Sequence, residues 1–208
     1  MDAAVLRAMA AAGCRNVTYA PESGSERTLR DVRKKVSLPR LVESIRAAKA
    51  NDVFVKCNLI IGFPQEERAD VLQTLGLVIR LAWIGADDAG VFPFSPYPGT
   101  ELYDYLRGVG VIGAMDRAYF ESLTTFMDLE TSSRYCKNLG PRELAFYRLA
   151  GMGAFYGLSY ALRPRRVLRS VRNYRAGRSD TAFEERLFAL LRRHRPAPDS
   201  LLQGAEHA

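Results

Sequence analysis

Clustered cysteine is missing from this sequence. The three cysteines, Cys14, Cys57 and Cys136, are odd in number and far apart, which excludes a disulfide framework and a closely spaced metal-ligand set. Histidine is scarcer: His194 and His207 both sit near the C-terminus and are poor catalytic candidates. Long apolar runs are also lacking. The longest low-charge stretch, Leu149 to Leu162, is short for a membrane span and rich in Gly and Ala. The opening MDAAVLRAMAAAGC is a helical pattern with an early acid, not a signal peptide, so the expected location is the cytoplasm. Acids run short in one region only. Residues 136–208 hold 14 Lys/Arg against 6 Asp/Glu, while residues 1–135 hold 16 against 17, so the net charge of +7 belongs to the tail.

What is present suits one sizeable domain with an appendage: 208 residues, 48% of them hydrophobic. Apolar positions at Val5, Leu6, Met9 and Ala12 recur at a helical period that Gly13 ends. NVTYA (16–20), VFVKCNLII (53–61) and DAGVFPF (88–94) read as strands, the second nearly continuous enough at its end for cover on both faces. Helical patterns over 25–34, 38–50, 67–84 and 99–107 separate and follow them. Strand–helix repeated three times argues a parallel α/β sheet, in which ligands bind beyond the carboxyl ends of the strands. After Gly113 the pattern turns irregular, then helical over 141–162, with Pro164 interrupting and 180–193 forming a last helix.

Three turns fall at those carboxyl ends, and each supports two readings. In YAPESGSER (19–27), Ser23 and Glu26 fit a capping box, but Glu22 is left over; a carboxylate there can accept from a pair of ribose hydroxyls. In NLIIGFPQEE (58–67), Gly62 and Pro64 make a turn, or Gly62 admits a flat ligand to the backbone. In SPYPGTELY (95–103), Thr100 caps a helix and two prolines stiffen the loop, either for structure or to hold backbone groups against an adenine-like edge.

Taken together and in this order, AAGC, ESGSERTL, IIGFPQEE and FSPYPGTELY resemble the C-terminal half of the radical S-adenosylmethionine (SAM) superfamily. The subgroup resembled often carries an upstream cobalamin-binding domain and includes anaerobic cyclase-like and methyltransferase-like members; the FY…LRPRR element at 155–166 also looks like its tail. The resemblance implies the C-terminal half of a partial (βα)6 TIM-like barrel over 1–112, then an irregular segment and a basic helical extension over 113–208. It implies that Glu22, Ser23 and Ser25 face the ribose and amino-acid part of the cofactor, and that Arg33 or Lys34 meets its carboxylate. By the same resemblance Asn58, Ile60, Gly62 and Phe63 lie along the adenosine, and Ser95, Pro96, Tyr97 and Gly99 close the site. Where the family often has Gly-Glu-Thr after GFP, this chain has Gln65-Glu66-Glu67.

The larger departure is the family's Cys-x3-Cys-x2-Cys loop, which holds a four-iron cluster and which nothing here imitates. The expectation is therefore a chain that contributes nucleoside contacts but no cluster ligands, and that is inactive alone. Cobalamin and the 4Fe–4S cluster are expected of a full-length parent, and the missing half of another chain or subunit. The alternatives are a non-catalytic remnant or partner subunit completing such a half, and an adaptor that meets a membrane surface through RPRRVLRSVRNYRAGR (163–178), peripheral to the membrane. That stretch carries no groove-reading motif, which argues against nucleic acid. Glu121, Asp128 and Glu130 are further acids that fit a substrate cleft without being singled out.

Overall fold

The computed structural model of the chain describes residues 1–123 and 134–193, so Asp128, Glu130, His194 and His207 lie outside the described residues. The elements are α1 (Ala3–Ala11), β1 (Asn16–Glu22), α2 (Glu26–Asp31), α3 (Leu38–Ala50), β2 (Phe54–Ile61), α4 (Arg68–Ile84), β3 (Asp88–Pro93), α5 (Glu101–Gly108), α6 (Arg117–Ser122), α7 (Pro141–Leu162), α8 (Arg165–Arg175) and α9 (Ala182–Arg193). Among the described residues the strands form one sheet ordered β1-β2-β3, with both pairs parallel. Parallel neighbours require a crossover, supplied by α2 and α3 and then by α4. This is the expected α/β arrangement, three parallel strand–helix units as in a partial TIM-like barrel, followed by helices.

The helices start and stop where local chemistry dictates. Asp2 accepts from Val5 N at 2.8 Å and caps α1. Pro39 occupies the first turn of α3, where a missing N–H costs nothing. α4 ends at Gly85 with φ 100°, a left-handed stop. On α4, Val71, Thr74, Leu77, Val78, Leu81 and Ala82 recur at helical spacing and are buried. They and α3's Val42, Ile45 and Ala48 belong to the same core as Val55, Cys57, Leu59 and Ile61, all four of which are fully buried.

β2 differs from its expected cover on both faces. Its burial alternates strictly, with Phe54, Lys56, Asn58 and Ile60 only half-buried. In the neighbouring strand Tyr19 donates to or accepts from Ser44 of α3 at 2.8 Å, which sets its side of the sheet toward the helices, while Asn16, Thr18 and Ala20 are exposed. The apolar run Leu59-Ile60-Ile61 thus serves two surfaces: Leu59 and Ile61 fill the core, and Ile60 packs against a separate cluster beyond the strand ends.

The chain forms two compact units, Met1–Leu162 and Arg163–Ala208. The division expected after residue 112 falls inside the first, because α7 packs on α4 and β3. Gly151 permits that approach, since a Cβ there would lie 2.6 Å from Leu75 Cδ2. Arg148, buried, donates from Nε to Val91 O at 3.0 Å, and Tyr156 donates to Asp88 Oδ1 at 2.5 Å. In the second unit Glu184 is fully buried and accepts from Ser170 Oγ at 2.5 Å, Asn173 Nδ2 at 3.0 Å and Asp180 N at 2.7 Å. Tyr174 and Phe188 pack beside this network with ring centroids 5.1 Å apart.

The turn after β1 sits hard against α4. A Cβ on Gly24 would lie 2.5 Å from Gln73 O and 2.8 Å from Thr74 Cα, both backbone atoms that cannot swing aside. Gly24→Ala should therefore destabilise the chain by about 1–3 kcal/mol. Gly113→Ala, with nothing within 4 Å of the added Cβ, should be close to neutral. Urea midpoints of the two variants check this; equal midpoints would show that α4 yields freely.

Candidate functional site

The carboxyl ends of the strands carry the three turns singled out by the sequence. At the first, pairing between β1 and β2 shifts register between Tyr19 and Glu22, and Glu22 adopts φ 68°. A non-glycine residue in that region is strained, and an irregularity at a strand end re-aims a side chain. Glu22 Oε1 accepts from Lys34 Nζ at 2.9 Å, with the glutamate side chain 22% exposed and the lysine 38%. Arg33, also at positive φ (53°), pairs instead with Glu101 of α5 at 2.7 Å, largely in solvent. Of the two cations expected near a ligand carboxylate, Lys34 is the one brought to Glu22.

The expected Ser23–Glu26 capping box is replaced by a different arrangement. Ser25 caps α2, accepting from Thr28 N at 3.2 Å. Ser23 Oγ, fully buried, bonds Thr74 Oγ1 at 2.9 Å and accepts from Ser25 N at 3.0 Å. Ser25, also fully buried, donates to Asp70 Oδ1 at 2.6 Å. Arg27 pairs with both oxygens of Asp70, whose Oδ2 also accepts from Glu67 N at 2.8 Å. Burial alone would raise the Asp70 carboxyl; hydrogen bonds from Arg27, Ser25 and the Glu67 N–H outweigh it and hold the group below its ordinary value. Both serine hydroxyls thus tie the turn to α4. Asp70 and Thr74 were not legible as partners, because they lie 45 and 51 residues away.

At the second turn, Gly62 has φ 87°, and the space over it is taken by Leu144 Cδ1 of α7, 2.9 Å from where a Cβ would stand. Asn58 sits on the half-open face of β2, with its buried Oδ1 lacking a hydrogen-bond partner. Phe63 packs on Phe94, ring centroids 5.1 Å apart, in a cluster with Tyr103, Leu106, Ile112, Tyr119 and Leu123, and Ile60 lies against it. At the third turn Ser95 is half-buried, Pro96 is buried with its carbonyl accepting from Tyr119 Oη at 2.6 Å, and Tyr97 is exposed. Gly99 has φ 84°, and Thr100 caps α5 as expected.

Glu66 is the group the sequence reading passed over. It is 2% exposed and folds back so that Oε2 accepts from Gly62 N at 2.5 Å and Phe63 N at 3.2 Å. Its Oε1 has no partner, nor has the buried Oγ1 of Thr28. Both residues line a cavity of ≈ 250 Å³ with Val32, Phe63, Leu102 and Tyr105. Burial pushes the Glu66 carboxyl up to about 7 despite the two N–H donors. A glutamate four residues after the turn glycine was the available signal, but it reads equally as a helix-start acid.

The thiols are built into other places. Cys57 is buried in the sheet, where burial first and the Asp88 and Asp87 charges next push its thiol up to about 12. Cys136 is buried and donates to Glu66 O at 3.4 Å. Among the described residues no group of three or more His, Cys, Asp or Glu side chains is arranged to hold a metal ion.

Residues 1–78 match the model of the Radical SAM superfamily. The chain is 29% identical over 145 residues to an uncharacterised methyltransferase of Pyrococcus horikoshii, covering 69% of this chain and 31% of that protein. It is 32% identical over 96 residues to the tRNA-2-methylthio-N(6)-dimethylallyladenosine synthase of Thermus thermophilus, covering 45% and 20%. Over 85 residues it is 34% identical to a threonylcarbamoyladenosine tRNA methylthiotransferase of Treponema pallidum, covering 39% and 17%. These matches support the radical SAM superfamily, whose full-length members use SAM and a 4Fe–4S cluster. The chain spans less than a third of the length of these relatives. The residues at the strand ends fit the organic cofactor: Glu22 can accept from hydroxyls, Lys34 can donate to a carboxylate, and Asn58 Oδ1 is unpartnered. Cys57, buried in the sheet with its thiol pushed up to about 12, does not fit the role of a cluster ligand.

Glu66 makes a pH prediction. A carboxyl whose folded value, about 7, lies above its ordinary 4.5 binds more protons folded than unfolded between those values. Its contribution is therefore fully present below the lower value and is lost as pH rises through the upper one. Glu66→Gln mimics the protonated form. Relative to it, the wild-type chain should lose stability between about pH 5 and pH 8, by at most ~3 kcal/mol. Urea titrations across that range check this, and parallel pH profiles of the two proteins would contradict it.

Proposed function

We propose that this chain is the C-terminal part of a radical SAM enzyme of the cobalamin-associated, methyltransferase-like or oxidoreductase subgroup. In this reading it contributes the nucleoside and amino-acid contacts to SAM and none of the cluster ligands. The observation that carries the reading is the Glu22–Lys34 pair: a glutamate held at φ 68° at the carboxyl end of a parallel strand, 2.9 Å from the one lysine that reaches it. A ribose offers two hydroxyls to such a carboxylate, and a methionine carboxylate offers a partner for the lysine. Binding the cofactor exchanges the internal ion pair for two ligand contacts, so Lys34 keeps a carboxylate partner and Glu22 keeps hydrogen-bond donors. When bound beside its cluster, the cofactor supplies a carbon radical. The residues of this chain bind and orient it, and Ser23 and Ser25 act through the turn they hold.

The cluster loop then belongs to a separate N-terminal stretch of polypeptide or a neighbouring subunit. Two features favour that arrangement. β1 has a strand neighbour on one side only among the described residues, and the Asn16–Thr18–Ala20 face is exposed. The subgroup assignment rests on the resemblance of AAGC, ESGSERTL, IIGFPQEE and FSPYPGTELY in that order, together with the FY…LRPRR element at 155–166.

Ligands that differ only in the amino-acid part test the roles of the pair. Calorimetry should show SAM and methylthioadenosine both weakened by Glu22→Ala, by about tenfold to a hundredfold, whereas Lys34→Ala should weaken SAM but not methylthioadenosine, which lacks the carboxylate and gains from a Glu22 no longer tied in the ion pair. Binding of both ligands unaffected by Glu22→Ala would overturn the reading. Independently, anaerobic reconstitution of the chain should give no stoichiometric four-iron cluster. A cluster-type EPR signal on reduction, with iron and sulfide to match, would contradict the division of labour.

A further inference from the structure

We propose that the exposed face of α8 docks on an anionic membrane surface. The rotation of α8 about its own axis is fixed from within its compact unit. Ser170 and Asn173 both donate to the fully buried Glu184, Asn173 also donates to Asp180 at 2.8 Å, and Arg169 lies 3.6 Å from the same aspartate. A buried carboxylate with these donors on one side of the helix forbids α8 from rolling, because every donor would be lost together.

With that face committed, the opposite arc is exposed. It carries Val167 (47% exposed), Leu168 (67%) and Val171 (46%), all aliphatic. Arg165, Arg172 and Arg175 are exposed on the same arc, and none of them pairs with a carboxylate among the described residues. A soluble helix normally turns its aliphatic residues inward and its arginines outward. Here both kinds face outward together, at 3.6-residue spacing, on a helix of 11 residues.

The chemistry of that arc selects its occupant. Lipid phosphates pair with guanidinium groups, and the adjoining headgroup–acyl boundary takes up short aliphatic side chains from a helix lying in the plane of the surface. A nucleic acid would use the arginines and leave three aliphatic side chains in water, with no aromatic or amide group on the arc to stack on or read a base. An acidic protein surface would likewise satisfy only the charges. The inference is independent of the reading at the strand ends, since none of its residues lies there.

Co-sedimentation of the whole chain with phosphatidylcholine vesicles, with and without phosphatidylglycerol, tests it. Binding should require the anionic lipid and weaken with salt. Arg172→Gln should lower partitioning by about fivefold. Leu168→Asn should lower it by about tenfold. Both positions are exposed, so circular dichroism should be unchanged, and Arg142→Gln, an exposed change on α7, should have no effect. Three results would overturn the proposal: no binding to anionic vesicles, equal binding to neutral ones, or loss on Arg172→Gln with none on Leu168→Asn. The last pattern, joined to displacement by bulk RNA or by a polyglutamate peptide, would assign the arginines to that polyanion.

Discussion

The turn after β1 depends on the buried carboxylate of Asp70. It collects the Ser25 hydroxyl, the Arg27 guanidinium and the Glu67 N–H, and one helical turn further along α4 Thr74 bonds Ser23 and Gly24. A carboxylate removed from water must have such partners, and three groups from two segments make the arrangement over-determined. The consequence is felt one residue before the turn. Glu22 cannot relax from φ 68° by letting the chain slide, because Ser23, Gly24 and Ser25 are fastened to a helix that is itself buried along one side. The same fastening fixes where α2 begins; past its end, Arg33 at φ 53° and the Lys34 N–H on Leu29 O at 2.8 Å return Lys34 toward Glu22.

That dependence explains which parts of the molecule were legible in the sequence. Strand and helix positions follow from local period and from turn glycines, and the order strand–helix three times over leads directly to the parallel sheet. The cap of α2 did not follow, because Ser23 and Ser25 stand two residues apart and either satisfies the local rule for a cap. The choice between them is made by Thr74 and Asp70 in another element. The cover of β2 was misjudged for a related reason. Leu59-Ile60-Ile61 is continuous in hydrophobicity but alternates in destination, and only the Phe63–Phe94 cluster reveals why Ile60 is apolar. Glu66 looked like an ordinary acid at a helix start; its fold-back onto Gly62 and Phe63 depends on a tight turn whose dihedrals no residue pattern specifies.

α7 lies within the 113–208 range that the resemblance gives to the extension, and it packs on α4 and β3. Small residues let it lie close: Gly151 accommodates Leu75, Gly62 accommodates Leu144, and Arg148 reaches the Val91 carbonyl. A buried arginine that donates to a strand carbonyl satisfies a backbone acceptor that β3 would otherwise leave without a strand partner, which is one way a sheet edge is closed.

The two edges of the sheet are consequently unlike. β3 is buried at five of its six positions and is covered by α7, whereas β1 alternates between exposed and half-buried until Pro21. Among the described residues, extension of the sheet is therefore open on the β1 side. That side is also where the strained glutamate stands. A further strand laid parallel to β1 would end beside Glu22 and Lys34. The register shift lies between Tyr19 and Glu22, so that Glu22 is paired again, opposite Leu59 of β2, and the Asp70 network fastens the turn that follows it.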